Sequence, residues 1–271
     1  VLPGDTANDE LRAAISAANA DAATDVIVVG EVNPAAGTPT DGIDLGFGSV
    51  AYVDATLGAF TFPFVIAPLT IEAGTTSTLQ LDGTDAVRFF LVKNDATLDV
   101  QSSLTLRDVT IVNGMSPATG GSVIHVDGTA TTSGLVPALT LQDVSIRGSA
   151  GGSAPVVSHG DPPRLTNCTF RWNSGDLAGA LVVDRGAVIS GGSIADCRGA
   201  TGAVEATAAT FVDASGATVN AVLAINGATL ENNVGQAAGA VRSLANTNLG
   251  SDTFSGNHAN AGTGQGGAVL A

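Results

Sequence analysis

Six short stretches of the chain repeat one order of apolar and polar residues. Leu106-Arg107-Asp108-Val109-Thr110-Ile111 and Leu141-Gln142-Asp143-Val144-Ser145-Ile146 agree at nearly every position, and the order returns at 165–170, 189–194, 225–230 and 249–254. The first position is Leu or Ile, and the third is a turn-former: Asp108, Asp143, Asn167, Gly191, Gly227 and Ser251. The fifth is a hydroxyl in every copy (Thr110, Ser145, Thr169, Ser193, Thr229, Thr253), and the sixth is large and apolar. Successive copies lie 35, 24, 24, 36 and 24 residues apart, with the excess of the two long spacings falling in 128–134 and 206–221. About nine residues past most sixth positions comes a cluster of small residues followed by apolar ones, as in Gly120-Gly121-Ser122-Val123-Ile124 and Ala178-Gly179-Ala180-Leu181-Val182.

The alternation within each unit has the period of a strand. Gly, Asn and Asp supply the positive-φ residues that tight corners require. A unit this short cannot bury its own apolar face, whereas parallel strands stacked ~4.8 Å apart bury a continuous column. The pattern therefore predicts an all-β fold, a parallel β-helix forming a single domain over 1–271. Residues 1–24 form its cap, 25–103 irregular first coils, and 104–271 repeats of about 24 residues. Two ladders follow from the stacking. The Thr/Ser column is expected to face solvent, because the sixth position points into the core. Asn173, Asn233 and Asn257 form a second column, expected to satisfy backbone groups of neighbouring coils at a corner.

The first third is less regular. Leu11, Ile15 and Ala18 make a one-sided stripe after Thr6-Ala7-Asn8-Asp9, which predicts a short amphipathic helix with a capping-box start. Such a helix is the natural cover for a terminal coil, whose strand edges and core are otherwise open. Asp25-Val26-Ile27-Val28-Val29 predicts the first strand, and short runs within 60–101 predict more. Gly266-Gly267-Ala268-Val269-Leu270-Ala271 stops in mid-pattern, leaving open a longer natural chain or cover by another subunit. No basic stretch followed by an apolar one opens the chain, which is expected to have lost any signal peptide.

Composition narrows the function classes. Of 271 residues only 13% are charged, Lys93 is the sole lysine, and the net charge is -15. Nucleic acid is excluded as a partner, since no basic patch exists to neutralise phosphates. No apolar run reaches the ~18–20 residues of a membrane helix. Cys168 and Cys197 lie at different positions of the repeat, and two separate buried thiols are expected rather than a bridge. His125, His159 and His258 stand far apart along the chain with no metal-ligand spacing, and are expected to be structural or surface residues. The acids of the repeats are spread singly, so no catalytic carboxylate pair is legible. Arg107, Arg147 and Arg171 fall near equivalent positions and could align, as could Asp108 and Asp143, but solvated polar-face residues account for them equally. Gly262-Thr263-Gly264-Gln265-Gly266-Gly267 is read as a turn rather than a phosphate loop. The hydroxyl column invites comparison with ice- or sugar-binding faces, but it mixes Ser with Thr between varied neighbours. No cofactor is expected, with calcium left open.

Two features resemble known families. Leu11, Arg12, Ala14, Ile15, Ala17, Ala18 and Asn19 stand at the positions of the opening motif of CSLREA-domain bacterial surface proteins, with Ala13 where that motif has Glu. The later repeats, Phe170-Arg171-Trp172-Asn173, Leu230-Glu231-Asn232-Asn233 with Ala238-Gly239-Ala240, and Phe254-Ser255-Gly256-Asn257 with Gly266-Gly267-Ala268, resemble those of polymorphic outer-membrane proteins. The resemblance implies a right-handed parallel β-helix that is secreted or displayed at a cell surface. The leading expectation is a non-enzymatic, adhesin-like or filament-forming rod. Its partners would be further copies of itself stacked end to end, surface proteins or glycans. The alternative is a polysaccharide-binding or polysaccharide-cleaving β-helix, which a groove with convergent carboxylates and an arginine would favour.

Overall fold

A computed structural model describes residues 4–29, 43–46, 52–74, 78–84, 87–116, 120–213, 215–260 and 267–271. The chain winds through three long parallel sheets in turn, of eight, eight and seven strands; from the second coil on, each coil contributes one strand to each sheet, and among the described residues the first contributes only to the first two. This is a parallel β-helix, capped by one N-terminal helix. The first sheet runs from Asp25–Val29 to Asn246–Gly250, the second from Ile43–Gly46 to Thr253–Ser255, and the third from Phe90–Val92 to Val269–Leu270.

The six-residue unit spans the corner between the first and second sheets. Its first residue points inward one position before the end of a first-sheet strand, and its fourth and sixth residues point inward at the second sheet: Leu106, Val109 and Ile111 are all buried. The third residue turns the corner alone. Asp108, Asp143, Asn167, Gly191, Gly227 and Ser251 all have φ between 52° and 68°. A second corner, between the second and third sheets, is built the same way from Asn113, Gly148, Trp172, Asp196, Asn232 and Gly256, again all at positive φ. Short polar residues and glycine tolerate this conformation; tryptophan does not.

The third corner varies in length. Both long repeat spacings leave the stack here: 127–137 forms an open loop, and Thr210–Val212 pairs antiparallel with Thr218–Asn220 in a small hairpin. The glycine-rich clusters open third-sheet strands. These strands are buried on both faces, not on alternate residues, as in Gly121–Val126 and Ala178–Val183. One cause is a register shift between Gly121 and Ile124, repeated between Ala178 and Leu181. The coil carrying Ala154–Ser158 has its glycines, Gly151 and Gly152, just ahead of the strand.

The helix Gly4–Ala18 closes the N-terminal end. Leu11, Ile15 and Ala18 are buried in the same core cluster as Phe62, Phe89 and Phe90. Asn19 fastens it further, donating to Phe64 O at 2.7 Å and accepting from the Ile66 amide at 3.0 Å. The helix begins before Thr6, which lies within its first turn and not at its cap. Asp25–Val29 is the first strand, as its sequence predicts, and pairs with Pro68–Ala73. Among the described residues no helix is long and apolar enough to cross a membrane. Most of the glycine-rich stretch 262–267 lies outside the described residues.

Candidate functional site

The two ladders sit where the repeat puts them. Thr110, Ser145, Thr169, Ser193, Thr229 and Thr253 pair rung on rung along the outer face of the second sheet. All but Thr253 are half-buried, so the column is a close-packed face and not a row of free hydroxyls. The asparagine column turns inward just past the second corner. Asn173 Oδ1 accepts from the Ser149 amide at 2.9 Å, and its Nδ2 donates to Ile146 O at 2.8 Å. Asn233 does the same between the Cys197 amide and Ile194 O, and Asn257 between the Asn233 amide and Leu230 O. Ser149 and Cys197 occupy the same column, and these five residues tie the corner together.

Cys168 and Cys197 are both free and buried, on different corners. Burial pushes both thiols up to about 11. Arg147 and Arg171 are direct neighbours on the second sheet, but Arg107 is not in their column. It lies on the first sheet, 3.3 Å from Glu72. Asp108 and Asp143 do stack, at the first corner, where the Asp108 amide donates to Gln142 O at 3.1 Å.

The histidines depart most from the sequence reading. His125 and His159 lie on adjacent coils with ring centroids 5.4 Å apart, edge to face. His125 ends up on the outer side of the third sheet, level with Val157 and Val182. His159 follows directly after the next strand. Together they line a groove of about 570 Å³ with Asp54, Leu57, Asp127, Thr129, Leu177 and Thr207 over a floor of Val157 and Val182. His258 is elsewhere, on the exposed pair with Val234–Gly235.

Each polar group of the groove is held. His159 Nδ1 lies 3.0 Å from Asp184 Oδ2, and this carboxylate raises the histidine's pKa against the opposing effect of burial. His125 is almost fully buried. Burial, and secondarily the charge of His159, pull its pKa down to about 4, so it is neutral at neutral pH. Its Nδ1 accepts from the Gly121 amide at 3.4 Å, which places the ring proton on Nε2. His125 thus presents its Nε2–H as a donor beside His159, whose Nδ1 is held by Asp184 and whose pKa moves the other way. Burial would raise the Asp54 pKa, but the amides of Thr56 and Leu57, with Lys93 at 3.0 Å, outweigh it and lower the value. The hairpin bearing Asp54 and Leu57 is braced to the sheet by Arg88, which donates to Leu57 O and, at 2.6 Å, to Ser116 Oγ. Asp184 Oδ1 is buried with no partner among the described residues.

The sequence held a signal for this cluster that pairwise spacing hides. His125, His159 and Asp184 lie the same distance past Ile111, Ile146 and Phe170, to within one residue. Counting forward from the repeat, not between histidines, brings them together. Among the described residues no three His, Cys, Asp or Glu side chains are placed to hold a metal ion. No family model, no curated protein and no solved structure matches this chain.

Proposed function

We propose that the protein is a β-helical scaffold of the cell exterior, adhesin-like in role, that binds a saccharide in the third-sheet groove. The observation that carries this reading is the convergence of neutral His125, the Asp184-held His159 and the carboxylates of Asp54 and Asp127 over an apolar floor. A concave site with polar groups fixed in place orients a small ligand, and this groove is lined mainly by such groups. Sugar hydroxyls both donate and accept, matching a carboxylate–imidazole rim, while exposed Leu177 offers the C–H face of the ring an apolar contact at the groove edge. A net charge of -15 disfavours polyanions, so neutral saccharides are the favoured class. The resemblance of the opening motif and later repeats to surface proteins supports the location.

Calorimetry with neutral oligosaccharides tests the reading. Binding is expected at neutral pH, weakened at least about tenfold in His159→Ala and Asp127→Ala. Equal affinity in the double variant would refute it. A second reading, saccharide cleavage, is favoured by the opposed pKa shifts of the two histidines, which suit an acid–base pair. New reducing ends that disappear in His159→Gln would establish it.

A further inference from the structure

The second corner contains one residue that the fold does not ask for. Five of its six coils turn on Asn, Asp or Gly, and the sixth turns on Trp172 at φ 56°. A bulky side chain in this conformation is strained, and such strain persists where it serves a function. Burial does not compensate for it, because Trp172 is 58% exposed. It is also the only tryptophan in the sequence.

Its surroundings form a built surface. The Arg171 guanidinium lies 4.3 Å from the ring centroid and is itself held by Asp196 at 3.2 Å. The ring lines a shallow cleft with Gln80, Asp82, Val112, Asn113, Arg147 and Gly148. Arg147 reaches across to Gln80 Oε1 at 3.2 Å, and Asn113 Nδ2 donates to Asp82 Oδ1 at 3.0 Å. A flat aromatic beside amide, carboxylate and guanidinium groups matches a sugar ring: apolar C–H face on the indole, hydroxyls on the polar groups. A protein partner is less well matched, since a buried hot spot needs an apolar surround. No other exposed large apolar side chain among the described residues belongs to the second sheet or its corner columns.

We propose that Trp172, Arg147 and Gln80 form a saccharide-binding platform on the second sheet, separate from the third-sheet groove. The cleft's donors and acceptors select a neutral sugar, and the strained backbone at Trp172 is retained for the stacking surface it presents. The site does not depend on the groove reading.

With a single tryptophan, its own emission is the probe. Titration of the whole protein with linear gluco-, manno- and galacto-oligosaccharides is expected to give a saturable change in emission with at least one of them. That change is expected to weaken about tenfold in Arg147→Ala and to persist in the groove variant His159→Ala, which separates the two sites. Trp172→Asn, using the residue that two other coils place there (Asn113 and Asn232), is expected to raise the thermal midpoint and to abolish the calorimetric heat of this site. Emission unchanged by every sugar, or unaltered binding by Trp172→Asn, overturns the proposal. So does a lower midpoint in Trp172→Asn, which would make the tryptophan a structural residue.

Discussion

An asparagine side chain turned into the dry interior of a β-helix corner must find partners for its donors and its acceptor. Asn233 does so through the Cys197 amide, Ile194 O and Asn257 Oδ1, at 3.0, 2.8 and 3.0 Å. Asn233→Leu keeps the bulk but orphans a buried amide and a buried carbonyl, each costing roughly 1–3 kcal/mol. The expected loss, about 2–4 kcal/mol, is read as a lower urea midpoint. Asn257→Ala, at a less buried rung, should cost visibly less. The thiols offer a second check at this scale. With both pushed up to about 11 by burial, native protein at mildly alkaline pH is expected to resist thiol reagents and to react at both cysteines once unfolded. These columns were legible because strand alternation and a fixed repeat assign inward and outward positions without reference to the rest of the fold. His125 and His159 were missed because the inserted loop 127–137 falls between them and stretches their mutual spacing, although each stands at nearly the same count past its own repeat.

At the scale of the strand, glycine marks a different place from the one its reputation suggests. Half of the residues at the two single-residue corners are Asp or Asn and only a third are glycine, while glycine also opens third-sheet strands, where the register shifts. A Cβ on Gly121 would stand 1.8 Å from Ile124 O, which no side-chain rotation relieves. Gly121→Ala is therefore expected to cost about 2–4 kcal/mol and to disturb His125, whose Nδ1 accepts from the same amide. Chemical denaturation gives the first effect. The second should appear as weaker ligand binding, out of proportion to the stability lost. Strand periodicity could not foresee this sheet. Its outward residues pack on one another, as Ala154, Val157, Ala178 and Val182 do, and the hairpin carrying Leu57 approaches Gly120, so residues that would alternate are buried.

For the whole molecule, the buried imidazole sets a pH dependence. The folded pKa of His125 is about 4, below the ordinary 6.5. Between these values the unfolded chain binds the proton and the folded chain does not, so stability falls as pH drops through this window. The shift corresponds to on the order of 3 kcal/mol. His159 works the other way. Its raised pKa adds stability that is fully present below the ordinary histidine value and is lost as pH rises through the folded value. Thermal unfolding of the native protein and of His125→Gln from pH 7 to 4 should show the variant losing less; parallel curves would count against a buried neutral His125.

The loop 127–137 and the hairpin Thr210–Asn220 both leave at the third corner, and both send residues to the groove: Thr129 from the first, and Thr207 from the approach to the second. Floor and wall thus have different tolerances. The floor is counted out by the coils, and one residue added at either single-residue corner would throw every later ladder out of step. The wall is free of that count. Chain can be lengthened, shortened or exchanged at the third corner while the rungs above and below keep their partners, so what the groove accepts can be altered without redrawing the molecule that holds it.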